Sequence, residues 1–377
     1  MNGLRAVIEE EIRERGPIPF SGYMESCLYH PQFGYYSRSA EQFGKAGDFY
    51  TSSDVHAVFG RLLVRQFDEM WQALGSPDHI VIKELGAGRG LFAQDVMDWA
   101  EKKSPDFLRA LQYELVEQSP ALRQRIAATL QRRFESGQVT FGSLEQSDDC
   151  PVIVFANEFF DAIPVEVVSA SGSLRIDARD GRFVESWAAT SPEESEYLDR
   201  YSAPPEQGER LEVGLQSQEL MSAAIGFERG FVVVVDYGYT RQEQLAGRHR
   251  GTIKAIRRHA VSGSPYEAPG EQDITADVNF TALEAAVEQQ GFRAEQLVTQ
   301  SQFLMGIGED TQFADAFEDC RLPQERAKVA LQLKHLVTPA GMGESFHVLV
   351  ASKGVAEEKT ASLSGLSFGK RNLRARS

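Results

Sequence analysis

Along residues 79–165, short apolar runs of strand length alternate with longer segments whose apolar residues have helical spacing. This pattern predicts strands and helices in turn. Strand-length apolar runs occupy residues 79–85, 111–116, 139–141 and 152–156. Apolar residues at helical spacing fill residues 91–102, and Ser119 followed by Pro120 predicts the N-cap and first position of a helix reaching residue 133. Alternating strands and helices favour a parallel sheet covered by helices on both faces. We therefore predict an α/β fold with a doubly wound, Rossmann-like sheet.

The segments around this alternating region predict an N-terminal extension over residues 1–78 and a β-rich insertion. Apolar residues at helical spacing predict a helix over residues 4–15, and a second helix begins near Asp54. Short strand candidates separated by Gly172 and by residues 180–181 predict a β-hairpin insertion at about 165–190. The polar stretch 191–210 is predicted to lie on the surface, and residues 238–275 are predicted to form a lid or loop region.

The main domain, residues 79–353, is predicted to close with further helices and strands. Helices are expected over residues 216–227 and 281–290, and strands over 231–236, 294–298 and 346–351. Thr281 and Glu284 have the spacing of a capping box. Residues 354–377 are rich in serine and glycine, with four basic residues near the end, and we predict that this tail is disordered.

Charge and composition narrow the class of protein. The 377 residues are 42% hydrophobic and 25% charged, as in ordinary globular proteins, and the net charge of −16 argues against a nucleic-acid-binding protein. Three cysteines without CxxC spacing, and histidines without HxxxH spacing, predict reduced thiols and no metal site. No apolar run approaches the roughly 18 residues of a membrane span. The acidic N-terminus is unlike a targeting peptide, so we expect a cytoplasmic protein.

The strongest motif is the loop ELGAGRG at residues 84–90, which follows a strand and precedes a helix. Glycine permits a sharp turn and a close approach of the backbone to a ligand. The dinucleotide fingerprint GxGxxG would need glycine at position 91, which is leucine here. The pattern fits S-adenosyl-L-methionine, which has no pyrophosphate and whose positive charges a carboxylate can balance. Our candidate cofactor-binding residues are therefore Glu84, Gly86, Gly88 and Gly90.

Glu117 ends the second strand and is a candidate ligand for the ribose hydroxyls of the cofactor. In a doubly wound sheet the end of this strand lies beside the glycine loop. Glu117 follows Gly86 by 31 residues (117 − 86), whereas the dinucleotide fingerprint places its acidic residue about 20 residues on. An NAD-linked oxidoreductase is thus disfavoured. The alternative for Glu117 is an ordinary surface glutamate at a strand end.

Polar residues follow the fourth strand in the segment NEFFDAIP, residues 157–164. Ligands of open α/β sheets bind outside the carboxyl ends of the strands, so Asn157, Glu158 and Asp161 are candidate catalytic residues. Glu158 and Asp161 are three residues apart, and in a helical turn both carboxylates could point the same way. The alternative is a helix N-terminus at which acids favour the dipole. Asp236 ends the fifth strand, where we expect substrate contact more than cofactor contact.

Five blocks of sequence occur in an order that resembles the MidA-like family, which includes the mitochondrial complex I assembly factor 7 type of arginine methyltransferase. The blocks are FGKAGDFYTS (43–52), ELGAGRG (84–90), NEFFDAIPV (157–165), DYG (236–238) and DITADV (273–278). The resemblance runs from about residue 20 to residue 351. It implies a class I S-adenosyl-L-methionine-dependent methyltransferase fold, and that the first block covers the cofactor, where Asp48 and Thr51 could reach it. Asp48 after Gly47 is otherwise an ordinary turn residue.

The activity that the resemblance implies is protein arginine N-methylation of a partner such as a NADH dehydrogenase core subunit of respiratory complex I. Glu158, with Asp161 as partner, could then accept N–H bonds from the guanidinium and leave one nitrogen nucleophilic. Two other classes stay open. One is an assembly chaperone that keeps the methyltransferase fold as a scaffold, and the other is a methyltransferase acting on a small molecule.

Overall fold

The computed structural model describes residues 3–37, 57–145, 149–257 and 260–368. Its strands, in chain order, are β1 (Ile18–Pro19), β2 (Ile80–Leu85), β3 (Leu111–Val116), β4 (Val139–Phe141), β5 (Val152–Asn157), β6 (Glu166–Ser169), β7 (Gly172–Arg179), β8 (Arg182–Ala188), β9 (Leu211–Val213), β10 (Gly230–Tyr239), β11 (Lys254–Arg257), β12 (Ala260–Val261), β13 (Asp273–Thr275), β14 (Val278–Asn279), β15 (Arg293–Ala294), β16 (Val298–Thr299) and β17 (Phe346–Lys353).

Helices precede, separate and follow these strands. The described helices are α1 (Gly3–Arg15), α2 (Phe20–Tyr29), α3 (Ala57–Ala73), α4 (Leu91–Lys103), α5 (Pro105–Ala110), α6 (Pro120–Thr129), α7 (Gln131–Glu135), α8 (Pro192–Tyr201), α9 (Leu215–Ala224), α10 (Arg241–Leu245), α11 (Phe280–Gln289), α12 (Gln300–Gly308), α13 (Ala314–Phe317), α14 (Pro323–Val337) and α15 (Glu357–Ala361). Among the described residues no helix is both long enough and apolar enough to cross a lipid bilayer.

The main sheet has the strand order β15-β17-β10-β5-β2-β3-β4, with β14 beside β10 and β16 beside β17. Strands β2, β3, β4, β5 and β10 are parallel, and β17 pairs antiparallel with β10. The chain winds outward from β2 in both directions, so the strand order reverses between β2 and β5. A doubly wound sheet forms its ligand crevice at such a reversal, outside the carboxyl ends of the strands. The predicted fold class is confirmed.

The central strands form because their residues are buried on both faces of the sheet. Every residue of β2 is buried, and Phe231 to Val235 in β10 have no exposed surface. On one face, which helices α3 and α4 cover, Phe92 of α4 stacks on Phe155 of β5 with ring centroids 4.4 Å apart. The other face is covered by α9 and α11, which contribute Met221 and Leu283 among others. Burial on both faces explains why these runs are apolar without alternation.

The N-terminal extension and the hairpin insertion form one unit. Strand β1 pairs antiparallel with β7 of the insertion, whose sheet has the order β1-β7-β6-β9 with β8 beside β7. Helices α1 and α2 bury Leu4, Ile8 and Tyr23 in the same apolar cluster as Leu174 and Ile176 of β7. This unit contacts the segments that follow β5 and β3, through hydrogen bonds from the Tyr29 hydroxyl to the backbone oxygen of Ala162 and from the Ser119 hydroxyl to the backbone oxygen of Tyr36. The sequence predicts both segments but not their association.

Several segments differ from their predicted structure. The stretch 191–210 contains helix α8, which has a capping box between Ser191 and Glu194 and buries Tyr197. Residues 238–275 contain α10 and the three-stranded sheet β12-β11-β13 in place of an irregular lid. The predicted capping box of Thr281 with Glu284 is wrong, because Asn279 caps α11 by accepting the N–H of Ala282.

The tail after Gly354 is ordered as far as residue 368, contrary to the predicted disorder. Helix α15 and a 3₁₀ helix (Ser364–Leu366) pack against α3. The Glu69 carboxylate accepts the N–H of Ser364, and the Gln66 side chain accepts the N–H of Gly365 at 2.9 Å. These hydrogen bonds, together with the burial of Leu363 and Leu366, outweigh the polar composition. Residues 369–377 lie outside the described part of the chain.

Candidate active site

A crevice of about 890 Å³ opens at the carboxyl ends of β2, β3 and β5. Its walls come from the glycine loop, the segment after β5, helix α9, and the α2 end of the N-terminal unit. Of the predicted site residues the crevice is lined by Glu84, Gly86, Gly88, Glu117, Asn157, Glu158 and Asp161. Gly90 is not among the lining residues, and Asp48 and Thr51 lie outside the described residues. The structure therefore brings most of the predicted set together at one place.

Glycine is needed at each of the three positions of the loop for a different physical reason. All three have positive φ, at +67°, +55° and +74° for Gly86, Gly88 and Gly90, a region that side chains disfavour. A Cβ on Gly86 would lie 2.6 Å from the Phe159 ring, whereas one on Gly88 would meet nothing within 4 Å and would point into open space. A Cβ on Gly90 would contact Ile126 of α6 at 3.3 Å. Gly88 thus exposes backbone to a ligand, and Gly90 allows helix packing.

Glu84 lines the crevice at the end of β2 and is 5% exposed. The Tyr113 hydroxyl donates a hydrogen bond to its Oε2 at 2.8 Å. Burial raises the pKa of Glu84 to about 7, although the hydrogen bond from Tyr113 acts in the opposite direction. A positive group bound here would stabilise the ionised carboxylate.

Glu117 is held in place at the end of β3. Its Oε1 accepts the N–H of Ser119 at 2.8 Å, and Ser119 in turn donates from its hydroxyl to the backbone oxygen of Tyr36. Burial raises the pKa of the Glu117 carboxyl. The carboxylate lines the crevice next to the glycine loop, the position expected for a ligand of ribose hydroxyls.

The segment after β5 presents Asn157 and Glu158 to the crevice by an unusual backbone. Glu158 has φ of +49°, the left-handed region, and its backbone N–H donates to the carbonyl of Val235 at 3.0 Å. Asn157 donates from its amide to Oε1 of Glu158 at 3.3 Å. Glu158 therefore precedes the 3₁₀ helix Phe160–Ala162 and does not share a helical turn with Asp161, contrary to the expectation. Both carboxyl groups nevertheless line the same crevice.

Asp236 supports this segment from below. It has no exposed surface, and its Oδ2 accepts the backbone N–H groups of Phe159, Phe160 and Asp161 at 2.9–3.3 Å. The expected substrate contact of Asp236 is wrong, because the side chain is enclosed by backbone. Burial and the neighbouring carboxyl groups of Asp161 and Glu158 raise the pKa of Asp236. Asp236 is a positioning residue for the candidate catalytic segment.

Asp161 has one occupied and one unsatisfied carboxyl oxygen. The Tyr237 hydroxyl donates to Oδ2 at 2.5 Å, whereas Oδ1 is buried and has no hydrogen-bond partner. The side chain is 5% exposed, and burial raises its pKa. Buried polar atoms in folded proteins are nearly always paired, so an unpaired carboxyl oxygen in the wall of a crevice indicates a place for a donor or a cation.

Comparison with known proteins agrees with this geometry. A family model described as S-adenosyl-L-methionine-dependent methyltransferase matches residues 62–298, more than half of the chain. The chain belongs to this family. A Burkholderia thailandensis protein crystallised with S-adenosyl-homocysteine superimposes with a TM-score of 0.80 and 28% identity, covering 97% of this chain and 94% of that one.

Two relatives with a named activity are mitochondrial proteins of animals. The Drosophila melanogaster homolog of protein arginine methyltransferase NDUFAF7 is 28% identical, covering 92% of this chain and 84% of its own length. The human protein arginine methyltransferase NDUFAF7 is 27% identical, covering 89% of this chain and 80% of its own length. The chain is thus an S-adenosyl-L-methionine-dependent methyltransferase, and the resemblance inferred from the sequence is confirmed.

The residues of the crevice fit the cofactor of the family. Gly88 offers backbone with no side chain in the way, Glu117 offers two acceptor oxygens for vicinal hydroxyls, and Glu84 offers a carboxyl group that a cation would ionise. Bound S-adenosyl-L-methionine supplies an electrophilic methyl group on its sulfonium. The described residues that would hold it are these three, and Gly86 serves by admitting the Phe159 ring beside the loop.

The residues of the crevice wall that sequence reasoning missed include Tyr29, Tyr36, Gln216, Glu219 and Asp273. Asp273 begins the DITADV block but had no assigned role. Gln216 and Glu219 are three apart on α9 and so share one face of that helix. Nothing in the sequence around Tyr29 indicates that the N-terminal unit reaches the crevice, because that depends on its pairing with the insertion.

Proposed function

We propose that this methyltransferase transfers the methyl group to an arginine side chain of a partner protein. The observation that carries the proposal is the charge of the crevice. Among its described lining residues there is one basic side chain, Arg89, against eight carboxyl side chains: Glu25, Glu84, Glu117, Glu145, Glu158, Asp161, Glu219 and Asp273. Such a wall attracts a cation and repels phosphate and carboxylate groups.

The choice of arginine rests on geometry and on the relatives. A guanidinium is planar and presents several N–H groups that match carboxylates bidentately, whereas the lysine ammonium is a point charge. The crevice is lined by Glu158 and by Asp161, whose Oδ1 is unsatisfied. The Drosophila and human relatives are named protein arginine methyltransferases, which supports the same substrate.

The candidate mechanism uses Glu158 to hold and polarise the substrate. An arginine side chain stays protonated in proteins, and its lone pairs are delocalised. N–H bonds to the Glu158 carboxylate would draw the positive charge toward the bound nitrogens and leave the remaining nitrogen nucleophilic. Asp161, whose pKa burial raises, is our candidate acceptor for the proton that this nitrogen loses on methylation. Proximity and orientation could supply about 7–11 kcal/mol of the lowering of the barrier.

The partner that we infer from the family is a core subunit of NADH dehydrogenase. The test uses the purified chain, methyl-tritiated S-adenosyl-L-methionine and purified NADH dehydrogenase subunits, with methylated residues located by mass spectrometry. Label in an arginine of one subunit is the expected result. A parallel reaction replaces the subunits with a cell extract, and label found there only in small molecules would contradict the protein substrate. No transfer despite binding of both partners would favour a chaperone.

Glu158→Gln tests the assigned role and Glu193→Gln, on the exposed surface of α8, is its matched control. We expect the first change to lower kcat by about 100-fold or more, since positioned acid–base and polar groups typically contribute that much. Its dissociation constant for S-adenosyl-homocysteine should stay within about twofold of the wild-type value, because the cofactor is held elsewhere. Full methylation by Glu158→Gln would contradict the clamp.

A further inference from the structure

Two tyrosines of the N-terminal unit stack beside the candidate catalytic segment. The ring centroids of Tyr29 and Tyr36 are 5.5 Å apart with an interplanar angle of 26°. The Tyr36 hydroxyl donates to Oδ1 of Asp273 at 3.0 Å, and the Tyr29 hydroxyl donates to the backbone oxygen of Ala162 at 2.9 Å. Both hydroxyls are thereby fixed, and Tyr29 remains 36% exposed, so part of its surface faces the crevice.

We propose that Tyr29, Tyr36 and Asp273, together with the unsatisfied Oδ1 of Asp161, act with the Glu158 carboxylate to bind the guanidinium of the substrate arginine, and that the first four form a subsite of their own. We call it the tyrosine subsite. The proposal rests on the proposed function and deepens it: the N-terminal unit contributes the two tyrosines to substrate recognition, beside Asp161 and Asp273, and the main sheet holds the cofactor. The ligand class is a planar cation carried on a flexible apolar stem.

The chemistry of the tyrosine subsite favours a cation. The face of a tyrosine ring attracts a guanidinium, which can also stack on the ring because it is planar. Asp273 is 3% exposed and Asp161 5% exposed, so the two carboxyl groups create negative potential in a region shielded from water. Burial, followed by the Asp273 carboxyl, raises the pKa of Tyr36, which keeps the phenol neutral and its ring able to stack.

A second observation points to a ligand at this place. The Asp161 Oδ1 atom is buried without a hydrogen-bond partner, while its neighbour Oδ2 is satisfied by Tyr237. A guanidinium donates up to five N–H bonds in a fixed plane, so one bound arginine can serve an acceptor and a ring face together. Ala162, which anchors Tyr29, directly follows Asp161, so the tyrosines and this carboxyl group belong to one wall of the crevice.

The test measures binding of a small cation to the full chain saturated with S-adenosyl-homocysteine. The charged probe is N-acetyl-arginine amide, and its binding is measured by titration with saturation-transfer NMR. The uncharged control probe is N-acetyl-citrulline amide, which has nearly the same shape. We expect the arginine probe to bind and the citrulline probe to bind at least about tenfold more weakly. Binding of the two probes with equal affinity would overturn the proposal, as would absence of binding by the arginine probe.

Three variants assign the affinity to the tyrosine subsite. Asp273→Asn keeps a polar side chain beside the Tyr36 hydroxyl and removes the charge, and we expect about tenfold weaker binding of the arginine probe. Tyr29→Leu removes the ring from a partly exposed position and should weaken binding about threefold or more, whereas Tyr29→Phe keeps the ring and should stay within about twofold. If Asp273→Asn does not fold, the pair of Tyr29 variants still decides the question.

The outcomes separate this inference from the proposed function. Wild-type affinity for the arginine probe in both Asp273→Asn and Tyr29→Leu overturns the tyrosine subsite but leaves arginine methylation standing. A loss of affinity for S-adenosyl-L-methionine without a loss for S-adenosyl-homocysteine would show that the subsite binds the sulfonium of the cofactor, which also overturns the inference. Failure of methyl transfer to any arginine, with the probe results as expected, contradicts the proposed function alone.

Discussion

The change Glu84→Gln tests quantitatively how burial in the crevice raises the pKa of the Glu84 carboxyl. The carboxyl has a pKa of 4.5 in its ordinary state and about 7 in the fold, because burial disfavours the charged form. The folded chain therefore binds this proton more tightly than the unfolded chain, and the free energy of unfolding must fall as pH rises between these two values. The whole difference corresponds to about 3 kcal/mol.

The assay is urea unfolding of wild type and Glu84→Gln at a series of pH values. Between pH 5 and pH 8 the wild type should lose roughly 2–3 kcal/mol relative to the variant, because glutamine has no proton to lose. Contributions of other carboxyl groups, such as Glu212, whose pKa burial raises to about 7, cancel in the difference. Glutamine retains an acceptor for the Tyr113 hydroxyl, so the variant keeps this hydrogen bond. Any offset in unfolding free energy that is the same at every pH does not affect the result, because the test compares pH values.

Binding of the cofactor gives a second measurement on the same pair. A positive group next to Glu84 lowers its pKa, so binding of S-adenosyl-L-methionine at pH 7 should release part of a proton in wild type and not in Glu84→Gln. Calorimetry in two buffers of different ionisation enthalpy measures this proton.

The urea experiment decides the matter. A difference in unfolding free energy between wild type and Glu84→Gln that is the same at pH 5 and pH 8, within about 0.5 kcal/mol, would refute the reasoning.

Three further predictions concern the support of the crevice. Gly86→Ala should lower the free energy of unfolding by about 1–3 kcal/mol, from a positive φ and the contact with the Phe159 ring, measured by urea unfolding; an unchanged value would contradict the close approach. Asp236→Asn should lower kcat about tenfold or more while the affinity for S-adenosyl-homocysteine stays within about twofold, because it loosens the segment after β5 alone. Glu69→Ala should cost about 1–2 kcal/mol and speed hydrogen exchange of the Ser364 amide; unchanged exchange would mean that the tail is held by apolar contacts instead.

The parts of the fold that sequence predicts well are those fixed by neighbouring residues. Strands β2, β3 and β5 agree with their apolar runs to within one residue, because burial on both faces requires an unbroken apolar run. The glycine loop is also predictable from neighbouring residues, since its turn is encoded within seven consecutive residues. Glu84 and Glu117 follow from the strand ends that flank it.

The parts that sequence reasoning missed depend on contacts between distant segments. Helix α2 carries apolar residues at helical spacing (Phe20, Tyr23, Met24, Cys27 and Leu28), but the surface that covers them comes from the insertion, more than 100 residues later in the chain. The role of Asp236 depends on β10 lying beside β5, which places its carboxyl under the backbone of residues 159–161. Tyr29 was missed with α2. The assignments of Asp48 and Thr51 stay predictions.

The association of the N-terminal unit with the insertion has a consequence for synthesis of the chain. Ile18 of β1 pairs with Ile176 of β7, so the first strand must wait for a partner made 158 residues later (176 − 18). At about 5–20 residues per second this delay on the ribosome is roughly 8–30 s. For that time Leu4, Ile8 and Phe20 emerge without the surface that buries them in the finished protein. The N-terminal wall of the crevice is thus made early but assembled only later, and a growing chain has no complete crevice before its insertion emerges.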